Sequence, residues 1–295
     1  MKFRVLVLVP VFLSLSCIAQ TGNLSDWPKL LDKNDCEAAK TLCKPFVNSK
    51  NIPQQVEAQK CLANAALCGH SMTMLERDDA GGGAMRSSFS PEAVDEALQH
   101  LDLGLKLAPQ DISIHEGRLH LLEVSGRYTE MALALDESCS TYKGSDTPDI
   151  WLAYSSELAE LRQYEAGLDF MKVLDKHYLN NPDIAGNIGA FLSYLKRDSE
   201  AISYLQKAVE LAPNDPVNAW DLGRIYDYDG QFELADKWYQ KGISLDTDPA
   251  RRKESSCLYG EFVEKKLHDS KRACSLEKQD CSLKEQTACA PASHP

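Results

Sequence analysis

Beyond its first twenty residues the sequence has no long hydrophobic run. No later stretch approaches 18 consecutive apolar residues, which excludes a second membrane-spanning helix. It also lacks a basic excess: 32 Lys and Arg against 44 Asp and Glu leave a formal charge of −12. A nucleic-acid binder needs a cationic face to displace counterions, so that class is set aside. There is no glycine-rich phosphate loop, no nucleophile elbow and no cysteine–histidine pair in a recognisable catalytic context. The glycine run Gly81-Gly82-Gly83 carries no lysine and follows no strand pattern, so it reads as a linker. No two cysteines are spaced by two residues, which removes the simplest dithiol chemistry. His115 and His120 are five apart on an expected helix and diverge, whereas a zinc-protease helix needs histidines four apart. Both read as surface histidines, and the many carboxylates as solvated helix faces. The expectation is a protein without catalysis, cofactor or metal.

What is present begins with a targeting segment. Lys2 and Arg4 precede an apolar run from Val5 to Ser16, a pattern of signal-peptide length over residues 1–19. Cleavage after Ala19 gives a secreted chain. Cleavage before Cys17 would give a lipid anchor on Cys17, although the leucine usual three positions before such a cysteine is Ser14 here. The third reading is an anchor that stays on. The expected location is exported: periplasm, exterior or envelope, with no membrane span in the mature chain.

A period of 34 residues follows. Pro182, Ala185, Ile188, Gly189, Leu192, Ala201, Leu205 and Ala208 recur as Pro216, Ala219, Leu222, Gly223, Tyr226, Ala235, Tyr239 and Gly242. A third copy starts at Pro148 with Trp151, Tyr154, Leu158, Gly167 and Met171, and a weaker one at Ile112. Small residues let two antiparallel helices approach, and larger ones fill the seams between pairs. The pattern resembles the tetratricopeptide repeat (TPR). That resemblance implies an all-α fold, a right-handed superhelical solenoid of antiparallel helix pairs. The expected plan is an extension at 20–33, then a cysteine-stapled hairpin at 34–75. Its second helix, Gln54 to Leu75, doubles as the first helix of repeat one. A flexible insertion at 76–90 precedes the array at 91–249, with units starting near 112, 148, 182 and 216. A capping helix at 250–268 and a cysteine-containing tail at 269–295 complete it.

Ten cysteines suit an exported chain. Cys36 and Cys43 are seven apart, as are Cys61 and Cys68, so each pair lies on one helix face. In an antiparallel hairpin, Cys36 faces Cys68 and Cys43 faces Cys61. A four-thiolate zinc site is the rival, though its ligands are usually closer in sequence. The spacing is similar to that of twin-cysteine helical hairpins of the coiled-coil-helix proteins, which place three, nine or ten residues between cysteines. Cys139, Cys257, Cys274, Cys281 and Cys289 are left without assigned partners; Cys139 suits a buried, inert thiol.

In the TPR family the first helix of each pair lines a concave face. Carried onto this chain, the resemblance implies a peptide-binding groove with His120 and Glu123, then Glu160, then Tyr194, then Trp220, Arg224 and Tyr228. Aromatics there could equally pack between repeats, a reading weakest for Trp220, because Leu222 and Tyr226 already fill the packing positions. The lysine and asparagine clamp of chaperone-tail-binding relatives is missing, and the acidic members suit a basic or mixed segment. The expected function is a non-catalytic protein- or peptide-binding scaffold outside the cytoplasm. The alternative is a structural subunit or lipoprotein of an envelope complex. The sequence leaves oligomeric state open.

Overall fold

The computed structural model describes residues 24–69, 72–74, 85–87, 89–143 and 148–281. The leader with Cys17, most of the 76–90 insertion and the tail from 282 lie outside the described residues. Among the described residues the chain is all-helical apart from one short ribbon, and it forms two compact units, 1–177 and 178–295.

In the first unit, α1 (Trp27–Asp32), α2 (Cys36–Cys43) and α3 (Ile52–Leu67) form a small cluster. Asp35 caps α2 through the Ala38 amide, and Asn51 caps α3 through the Gln54 amide. The nested disulfides are present: Cys36–Cys68 and Cys43–Cys61, with Cα separations of 5.5 and 6.3 Å. The inner pair is buried with Leu24, Trp27 and Leu62. The Trp27 indole donates to Glu57 Oε1 at 2.7 Å, so residues 24–32 dock on the hairpin rather than trailing from it.

The helix expected to run to Leu75 stops at Leu67. Cys68 is extended and tied to Cys36, and Gly69 follows at φ +83°, so the chain turns out of the helix. Met72–Met74 then pairs antiparallel with Met85–Ser87. α3 continues the fold by packing on α4 (Pro91–Leu107), where Val56, Ala63, Ala97 and Leu101 share a core with Ile114, Leu121 and Val124. Lys60 of α3 reaches Asp111 at 2.6 Å and Ser113 at 2.8 Å, and Asp111 caps α5. The pairs α5 (Ile112–Val124) with α6 (Tyr128–Thr141) and α7 (Asp149–Glu160) with α8 (Tyr164–His177) complete the unit. His115 is a correction to the sequence reading: it is buried, and its ring contacts Ser138 Oγ at 2.8 Å and the Pro109 carbonyl at 2.9 Å. Cys139 is buried on α6.

The second unit pairs α9 (Pro182–Tyr194) with α10 (Asp198–Leu211), α11 (Pro216–Tyr228) with α12 (Phe232–Leu245), and α13 (Pro249–Leu267) with α14 (Ser270–Asp280). Asn181, Asp215 and Asp248 each cap a helix that opens on proline, where the missing N–H costs nothing. The turns inside the pairs share one device. Gly126, Arg162, Lys196 and Gly230 adopt positive φ, and the next amide donates five residues back, as Arg197 N does to the Leu192 carbonyl at 2.9 Å. Helices within a pair touch closely: a Cβ on Gly223 would stand 2.9 Å from the Tyr239 amide nitrogen.

α13 does not end the chain's order. α14 folds back on it, and Cys257–Cys281 ties the two at a Cα separation of 5.2 Å. Asp236 of α12 receives the Tyr259 hydroxyl and the Arg272 guanidinium, which fastens α13 and α14 to the preceding pair. Three such disulfides among the described residues are the inventory of an oxidising compartment. No described helix is long and apolar enough to cross a membrane.

Candidate peptide-binding surfaces

Four of the expected groove residues meet in the second unit. α11 carries Trp220, Arg224 and Tyr228 at spacings of four, which stacks them on one helix face. Together with Asp227 and with Leu258, Phe262 and Lys266 of α13 they line a cleft of about 450 Å³. Tyr228 is 53% exposed and Leu258 52% exposed. The Lys196 ammonium lies 5.1 Å from the centre of the Tyr228 ring. Tyr194, on α9, is also exposed and helps sustain the Arg224 charge.

Trp220 occupies both of the roles that the sequence set against each other. Its ring packs on Tyr239, centroids 4.6 Å apart, and it also lines the cleft. Filling of the packing positions by Leu222 and Tyr226 therefore does not spare Trp220 from packing. Leu222 and Tyr226 are buried on the far side, and Gly242 lets α12 approach the Trp220 backbone to near contact.

The cleft floor is charged and incompletely satisfied. Arg224 pairs with Asp221 at 3.0 Å, yet its Nε is buried without a hydrogen-bond partner, as is Asp227 Oδ1. Burial works against the Arg224 charge, but Asp221, Tyr194 and Tyr228 outweigh it and hold the guanidinium above its usual range. Burial raises the Asp227 carboxyl, with Lys266 pulling the other way. Unpaired groups in a concave site are costly unless something satisfies them.

The other three expected residues lie in the first unit. His120 and Glu123 sit on α5, and Glu160 is an exposed residue at the end of α7. His120 and Glu123 converge not with Glu160 but with Glu157, one turn earlier. Glu123 is 1% exposed, and neither of its carboxylate oxygens has a hydrogen-bond partner. The Glu157 carboxyl is raised to about 7 by burial and then by Glu123 beside it. Burial also raises Glu116. Glu157 was missed because the family's inward positions select Ser156 and Glu160. The legible signal was His120-x-x-Glu123, which places two ligand-type side chains on one face.

Residues 182–215 and 219–249 match the family model described as tetratricopeptide repeat. No curated protein matches the chain. Among solved structures, the C-terminal part of a TPR repeat-containing protein from Cytophaga hutchinsonii superposes with a TM-score of 0.52 at 14% identity, covering 91% of this chain and all of that one. PilF from Pseudomonas aeruginosa gives 0.41 at 15%, covering 66% of this chain and 88% of its own. YrrB, titled a TPR protein with an unusual peptide-binding site, gives 0.41 at 16%, covering 75% and 98%. The matched units α9–α10 and α11–α12 are thus tetratricopeptide repeats, set in a chain whose all-helical fold is similar to that of the Cytophaga protein.

Proposed function

We propose that the chain is a non-catalytic scaffold acting outside the cytoplasm, and that the α11–α13 cleft holds a segment of a partner polypeptide. The cleft between Trp220, Tyr228 and Phe262 carries the reading. It offers aromatic walls of the kind that anchor interfaces, over a floor with an unpartnered Arg224 Nε and Asp227 Oδ1. An extended segment suits it, with one apolar side chain against the rings and backbone amides and carbonyls for the floor. The opposed charges of Arg224, Asp227 and Lys266 favour a mixed segment over a strongly acidic or basic one.

Tyr228→Ala and Leu258→Ala are cleaner tests than Trp220→Ala, because both side chains are more than half exposed. The oxidised chain is used as bait in its exporting cell, and captured proteins are identified by mass spectrometry. The expected result is a shared set of captured proteins that the double variant loses while its melting temperature is unchanged. Undiminished capture by that variant would remove the cleft from the proposal.

A further inference from the structure

We propose that His120, Glu123 and Glu157 bind one divalent transition-metal ion of the zinc class. One donor atom from each lies within 4.8 Å of the other two. His120 Nδ1 is 3.5 Å from Glu123 Oε2. That is long for a hydrogen bond, but it is close to the separation of about 3.4 Å between two ligands of one tetrahedral zinc ion, given bonds of about 2.1 Å.

The burial pattern points the same way. The Glu123 side chain is 0% exposed, and neither of its oxygens meets a lysine, arginine, hydroxyl or amide donor; what lies against them is the Glu157 carboxyl and the His120 ring. His120 Nε2 is buried without a partner as well. A buried carboxylate is costly unless it is paired or coordinates a metal. Here its neighbours within reach are another carboxyl and an imidazole, which together make the donor set of a metal site. Glu157 is exposed along much of its length while its carboxyl is partly enclosed beside Glu123, so the side chain has room to swing inward and close the site.

The donor chemistry selects the ion. One imidazole and two carboxylates suit zinc and its first-row neighbours, whereas calcium and magnesium ask for six or more oxygens. Three protein ligands leave a fourth position for water or for a side chain of a bound segment. α5 and α7 are the first helices of successive pairs, so a bound ion would join two pairs across the face expected to bind peptide.

The test uses the full oxidised chain, stripped by a chelator and titrated with Zn²⁺ by calorimetry. One equivalent should bind, and Glu157→Gln and His120→Gln should each weaken it by roughly tenfold or more, with circular dichroism unchanged. Glu157→Gln keeps the test sound should His120→Gln fail to fold. With Co²⁺ in place of Zn²⁺, ligand-field absorption should arise without the charge-transfer band of a thiolate ligand. Failure to bind an equivalent, binding unchanged in Glu157→Gln, or a thiolate-dominated Co²⁺ spectrum would each overturn the site.

Discussion

Lys60 of α3 reaches across to Asp111, the cap of α5, with 2.6 Å between ammonium and carboxylate. Ser113 completes the triad: its hydroxyl donates to Asp111 Oδ1 at 2.6 Å, and its amide does so at 3.1 Å. Burial pushes the Asp111 carboxyl up, but these hydrogen bonds and the Lys60 charge outweigh it, so the group sits below its ordinary 3.8. A depressed folded-state pKa gives stability that is present above 3.8 and is lost as pH falls through the folded value. Acid unfolding monitored below pH about 4 should therefore show a contribution of about 1 kcal/mol that Asp111→Asn abolishes. A pH profile identical in the variant would contradict it.

Gly223 and Gly230 should separate two costs of the same change. A Cβ on Gly230 meets nothing within 4 Å, so Gly230→Ala is opposed only by its backbone at φ +78°. The expected loss is about 1 kcal/mol. Gly223→Ala drives a methyl into the Tyr239 ring and backbone, and should lose about 2 kcal/mol or more. Urea unfolding of the two variants checks both the order and the gap.

Replacing Cys43 and Cys61 together by alanine opens an 18-residue separation at the centre of the first hydrophobic cluster. The loss should be about 3 kcal/mol. It should be felt at Trp27, which packs on the inner bridge and donates to Glu57. Earlier loss of the hairpin in denaturant, read by hydrogen exchange of α1 to α3, is the expected result. An unchanged exchange pattern would show that the bridge contributes nothing there.

Trp220 is expected to report on both packing and binding. Trp220→Ala should cost about 1–2 kcal/mol, because it strips an aromatic from Tyr239. Trp220→Phe should keep most of that stability while weakening partner capture. Equal stability of all three forms, by thermal denaturation, would mean that the ring serves the cleft alone.

How much of this was legible follows from which signals are local. The 34-residue spacing of Gly189 with Gly223 and of Ala201 with Ala235 marks helix pairs, because small residues are required wherever two helices touch. The hairpin pairing was legible because cysteines seven apart share a helix face. The docking of Leu24 and Trp27 carried no periodic signal and rests on contacts 30 residues away. The early end of α3 was hidden for a similar reason: nothing before Leu75 looks helix-breaking except Gly69, and it is the Cys36 bond that makes its turn obligatory. Ordered α14 was obscured by its polar composition; Asp236 and Cys257 hold it from other helices. At the candidate sites, Trp220, Arg224 and Tyr228 followed from helix register, whereas Glu157 required knowing how α7 faces α5.

The two cross-linked ends have a consequence for how such an array comes apart. A repeat protein is weakest at its extremities, since an end repeat has one neighbour and interior repeats have two. Here the first hairpin is closed by two covalent bridges, and the last pair by Cys257–Cys281. Unravelling inward from either terminus is blocked while those bonds last, so a protease should make its first cut at an interior turn between helix pairs. Under reduction the order should reverse, and the chain should shorten from its ends.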